Sequence, residues 1–103
     1  YRNGQMPKNS RMDLFFQGWG RHLNPLAMKA YDEYYKLAKD NNMTMVQLAQ
    51  SFVNSRPFVT SNIIGATTMD QLIENVESIN IKLTDEIMEK INLIHNNNPN
   101  PSP

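Results

Sequence analysis

A single short stretch of this chain reads as β-strand, and one strand cannot make a sheet. Ser61-Asn62-Ile63-Ile64 runs from polar to apolar β-branched residues, the pattern of a buried strand. A strand that apolar needs neighbours on both sides to take up its backbone N–H and C=O groups. The other periodic segments in the 103 residues have helical spacing. The chain is therefore expected to be incomplete as an α/β domain by itself. Three outcomes remain: a partner segment, strand pairing between copies, or a helical rearrangement. The start at Tyr1, without an initiator methionine, suggests a fragment or a processed product.

The residues just after the strand have a chemical character. Gly65-Ala66 keep the backbone free of bulk, and Thr68 with Gln71 makes a T-x-x-Q capping box that opens an amphipathic helix. Unpaired amides and the positive end of that helix then point beyond Gly65, which is the physical recipe for a phosphate site. The plainer reading is a β–α connection that binds nothing. Neither G-x-G-x-x-G nor G-x-x-x-x-G-K-[ST] is present, so the two best-known nucleotide loops are excluded.

The rest of the chain reads as helices joined by short links. Residues 1–23 form a long basic loop, with turn signals at Asn3-Gly4 and Met6-Pro7, and with Phe15, Phe16 and Trp19 expected to pin it to an apolar surface. Asn24-Pro25 starts a helix over 24–42, with Leu26, Ala27, Ala30, Tyr31, Tyr34, Tyr35 and Ala38 on its apolar side. Its tyrosines are expected to be packing residues with wet hydroxyls. Thr44 and Gln47 box the next helix, 44–55, whose stripe is Met45, Leu48, Ala49, Phe52 and Val53. After the strand at 61–64, a helix over 68–79 is expected to bury Leu72, Ile73 and Val76. A last helix at 84–96 is capped by Thr84 and buries Ile87, Met88, Ile91 and Ile94. An irregular tail, 97–103, ends the chain.

Composition removes several function classes. Formal net charge is zero, which speaks against nucleic acid or an anionic membrane surface as partner. There is no cysteine, so disulfides, zinc–thiolate sites and thiol catalysis are out. His22 and His95 have no metal-ligand spacing, and no metal site is expected. No apolar run is long enough to span a membrane and no leader pattern opens the chain, so the expected location is cytoplasmic.

Two runs, Ala49-Gln50-Ser51-Phe52-Val53-Asn54-Ser55-Arg56-Pro57 and Ser61 through Asn75, resemble the C-terminal portion of aldo-keto reductases. The bacterial branch related to potassium-channel β subunits is the most similar, with IIGATTMDQLIENV as its hallmark. Leu83-Thr84-Asp85-Glu86 resembles the start of that family's last helix, and Tyr1-Arg2-Asn3-Gly4 its seventh-strand loop. The resemblance implies the C-terminal part of a TIM (β/α)₈ barrel, mostly α-helical with one barrel strand in this chain, residues 1–23 covering the cofactor. It implies NADP as cofactor. Gly65, Ala66 and Thr67 would line its phosphate and ribose, and Gln71, Glu74 and Asn75, which share one helix face, would lie at the adenosine. Tyr1 and Arg11 match loop positions that touch the cofactor in relatives, and Arg11 can pair with a pyrophosphate oxygen.

Two departures from the family pattern matter. Many members carry Arg or Lys near the positions of Thr68 or Gln71 for the 2′-phosphate. Gly65 to Asn75 holds no cation, which leaves NAD as the alternative cofactor. The family's catalytic Tyr, Lys, Asp and His belong to its first half, and no residue of this chain takes their place. The expected function is thus the cofactor-binding C-terminal portion of a reductase that moves hydride to a small carbonyl substrate. The remaining N-terminal barrel half, in cis or in trans, is the expected partner. The alternative is a non-catalytic helical remnant that associates with copies of itself.

Overall fold

The computed structural model describes residues 1–15 and 20–103. Helices dominate it: α1 Arg11–Leu14, α2 Pro25–Asp40, α3 Met45–Asn54, α4 Met69–Glu77 and α5 Asp85–Asn97, with 3₁₀ turns at Arg2–Gly4, Gly20–His22 and Ser78–Asn80. Local sequence explains where the long helices begin. The Asn24 side chain accepts hydrogen bonds from the amides of Leu26 and Ala27, with Pro25 in the first turn where no donor is needed. Thr44 and Gln47 form the reciprocal box, at 3.1 and 2.9 Å. Thr84 accepts from the Ile87 amide, and Asp85 and Glu86 sit at the positive end of α5.

The core lies where α2, α3 and α5 meet. Leu37 and Ala38 of α2, Leu48 of α3, and Ile87 and Ile91 of α5 are buried together, with Tyr34, Met45, Phe52 and Leu83 packed around them. α4 docks differently. It meets α3 through small polar residues: Ser51 donates to the Ser78 carbonyl at 3.5 Å, and Ser78 donates to the Asn75 carbonyl at 2.6 Å. The tail is tied down as well. Asn98 donates to Glu33 at 2.8 Å, and the Asn24 amide group reaches the Pro101 carbonyl at 2.9 Å.

Three expectations need correction. Residues 61–64 form no strand, and no strand occurs among the described residues. Nothing in them supplies a neighbouring ladder, and Ile63 is 94% exposed. Leu72, Ile73 and Val76 are exposed rather than buried, because α4 turns Asn75 and Ser78 to its neighbours instead. Phe15 is exposed and does not pin the loop, while Phe16 and Trp19 lie outside the described residues.

The packing makes two checkable demands. Leu48 is 3% exposed at the centre of the core, so Leu48→Ala should cost about 3 kcal/mol in urea unfolding. Burial, and then the neighbouring Glu33 carboxylate, raise the Tyr34 phenol above its ordinary pKa. The folded chain then holds that proton more tightly than the unfolded chain. This contribution is present below the unfolded pKa of about 10 and is lost as pH rises through the folded value. Tyr34→Phe should therefore lose less stability than wild type between pH 9 and pH 11, roughly the window around a free phenol, in unfolding curves recorded across that range.

Candidate functional site

The turn before α4 gathers most of the residues singled out in the sequence. Thr68 caps the helix, accepting from the Gln71 amide at 3.3 Å. The reciprocal half of the expected box is shifted by one residue. Gln71 Oε1 accepts from the Thr67 amide at 2.9 Å and from the Thr67 hydroxyl at 3.1 Å, rather than from Thr68. One side chain thus ties the residue ahead of the cap to the first turn of the helix.

Asn75 sits one turn further along α4, almost wholly buried, and donates to the Gly65 carbonyl at 3.0 Å. This bond folds the Gly65 turn back over α4. No heavy atom lies within 4 Å of where a Gly65 side chain would begin, so the approach to that backbone is open. Glu74 accepts the hydroxyl hydrogen of Thr44 at 2.6 Å, which links the start of α3 to α4. That contact was invisible in sequence. Thr44 has a capping role that already accounts for it, and thirty residues separate the pair.

Gly65, Thr67, Gln71, Glu74 and Asn75 therefore lie around one turn and the helix after it, held by three separate contacts: Asn75 to Gly65, Thr67 to Gln71, and Thr44 to Glu74. Ala66 lies within that turn, exposed. Tyr1 and Arg11 belong to a second group. The Tyr1 hydroxyl accepts from the Met12 amide at 3.2 Å, and Arg11 opens α1 under its Ser10 cap. The turn cluster carries Asp70 and Glu74 as its charged groups, both acidic. Beside it, Asn62 donates to Gln50 at 2.5 Å and to Asn54 at 3.0 Å, lining a cavity of about 400 Å³ that reaches Ile64, Asn75 and Val76.

The Thr67 and Gln71 amides are already taken up by Gln71 and Thr68, which leaves the Gly65 backbone and the remaining amides of the first turn of α4 for an incoming group. The open Gly65 backbone and the start of α4 suit a phosphate. The Glu74 carboxylate keeps acceptor capacity for a hydroxyl or amino hydrogen after taking up Thr44. Among the described residues no group of three or more His, Asp or Glu is placed to hold a metal ion.

The family model described as "Aldo/keto reductase family" matches residues 1–96. The chain belongs to the aldo/keto reductase family. "Protein tas" of Escherichia coli strain K12 is 35% identical over 103 residues, covering all of this chain and 30% of its own length. A "Putative voltage-gated potassium channel subunit beta" of Schizosaccharomyces pombe is 32% identical over 94% of this chain and 30% of its own. An "Aldo-keto reductase" of Babesia bovis is 33% identical over 90 residues. The chain spans about a third of the length of these relatives. The family fold is a TIM barrel and its members generally use NAD(P)H, while the described residues of this chain are helical without strands. No helix among the described residues is long and apolar enough to cross a membrane.

The turn geometry gives its own test. Asn75→Ala removes the bond that folds Gly65 over α4 and should cost about 1 kcal/mol. Amide exchange at Ala66 and Thr67 should speed up while α2 and α5 keep their protection.

Proposed function

We propose that this chain is the cofactor-binding C-terminal portion of an NAD(P)H-dependent aldo-keto reductase. The observation that carries the reading is the turn cluster. The segment most like the family's motif folds with an open Gly65 backbone ahead of α4, the Gly65 turn held to that helix by Asn75 and its first turn tied to Thr67 by Gln71. Gly65, Ala66 and Thr67 hold the phosphate and adjoining ribose. Gln71, Glu74 and Asn75 hold the adenosine, and Tyr1 and Arg11 close over the cofactor from the N-terminal segment. When bound, the nicotinamide supplies the hydride that reduces a carbonyl, while the general acid comes from the remaining barrel.

That remainder is also the proposed cover for the exposed apolar face. Phe58, Ile63, Leu72, Ile73, Val76 and Ile79 stand in water here, and neighbouring strands and helices of a barrel would bury them. Residues 61–64 become the last barrel strand in that setting, in a cytoplasmic enzyme. A helical fragment that associates with copies of itself is the second reading, favoured by the same exposed face.

Gly65→Val separates the two. The site has room for the side chain, so stability should change little, while phosphate approach is blocked. NADPH affinity of the assembled barrel should fall about tenfold or more, the worth of one charge-assisted hydrogen bond. Isothermal titration reads this, and running NADH beside NADPH shows whether a stretch with two carboxylates and no cation accepts the 2′-phosphate. Unchanged affinity in the variant would sink the phosphate assignment.

A further inference from the structure

Arg2 stands outside the cofactor cluster and makes two contacts with one face of α2. Its Nε donates to Asp32 Oδ1 at 2.7 Å, and its guanidinium carbon lies 4.0 Å from the centre of the Tyr35 ring. Asp32 and Tyr35 are three residues apart on α2, so the helix offers a carboxylate and a ring side by side. A planar guanidinium uses both at once, edge to the acid and face to the ring; an ammonium cannot.

The segment on the other side of Arg2 is tied to itself by hydrogen bonds. The Tyr1 hydroxyl holds the Met12 amide, and the Met12 side chain is buried. Ser10 caps α1 through the Asp13 amide at 3.4 Å, and the Asp13 carboxylate takes the Asn9 amide at 2.7 Å. Tyr1 and Arg11 therefore ride on a single folded unit of about the first fourteen residues. α2 itself is anchored by Ala27, Ala30, Leu37 and Ala38, all buried.

We propose that Arg2 is a positioning residue, whose joint contact with Asp32 and Tyr35 holds the Tyr1–Leu14 unit on α2 and thereby sets how long a nicotinamide dinucleotide stays bound. The proposal rests on the cofactor reading above. It assigns Arg2 no contact with the cofactor.

The test uses Asp32→Asn, Tyr35→Leu and Arg2→Lys, in this chain and in the chain assembled with the rest of its barrel, with NADPH as probe. In the chain, exchange of the Met12 and Leu14 amides should rise about fivefold in the first two variants, while the Leu48 amide stays as it was. Arg2→Lys should fall between, since it restores the ion pair without the stack. In the assembled protein, NADPH release should quicken about fivefold and its KM rise, with kcat undiminished. Added salt should speed release from wild type more steeply than from Asp32→Asn, which retains the screening of the cofactor's own charges but lacks the ion pair, a difference that a merely structural role would not give. Unchanged exchange, or unchanged release from a wild type and variants that all bind NADPH, overturns the proposal. Failure of the assembled wild type to bind NADPH overturns the cofactor reading and the retention role with it, while the exchange result separately shows whether Arg2 fastens the segment.

Discussion

The contact on which the molecule depends is the meeting of α2, α3 and α5 over Leu37, Ala38, Leu48, Ile87 and Ile91. The described residues contain no sheet to lean on, so these few side chains hold the helices in register. Burying a large aliphatic side chain contributes about 1.5–3 kcal/mol, which makes a cluster of this size enough to organise a small domain but not to spare. Everything proposed to act on a cofactor is attached to that cluster at second hand. α4 hangs from α3 through Ser51, Ser78 and the Thr44–Glu74 bond, and the N-terminal unit hangs from α2 through Arg2.

This division gives the chain two kinds of surface. One is finished: capped helices, a tied tail, paired polar groups. The other is unfinished. Phe58 at 81% and Ile63 at 94% are exposed, as are Leu72, Ile73 and Val76 of α4. The proposed reading accounts for the contrast, because a helix of a barrel has an inner face meant for strands.

That division also marks what the sequence could reveal. Helix starts at Asn24, Thr44 and Thr84 were legible because capping is settled within four residues, and the core positions Leu48, Ile87 and Ile91 because helical period alone selects them. Apolar character was equally plain at Leu72, Ile73 and Val76, yet they are exposed; period shows which face is apolar, not whether a partner covers it. The strand expected at Ser61–Ile64 fails for the same reason. In the candidate site, the grouping of Gln71, Glu74 and Asn75 came from helical geometry. The downward bond from Asn75 to Gly65 and the contacts of Arg2 and Thr44 join residues ten or thirty positions apart, where neither period nor motif gives a signal.

The bare Ile63 face has a colloidal consequence. Proteins with sticky patches usually stay dispersed because like net charges keep copies apart. This chain has ten basic and ten acidic residues and a pI near 6.9, so that repulsion vanishes close to neutral pH. Handled by itself, it meets its own copies at the acidity where nothing holds them off, and a shift of buffer away from neutrality does for its solubility what a covering sheet would do in a complete barrel.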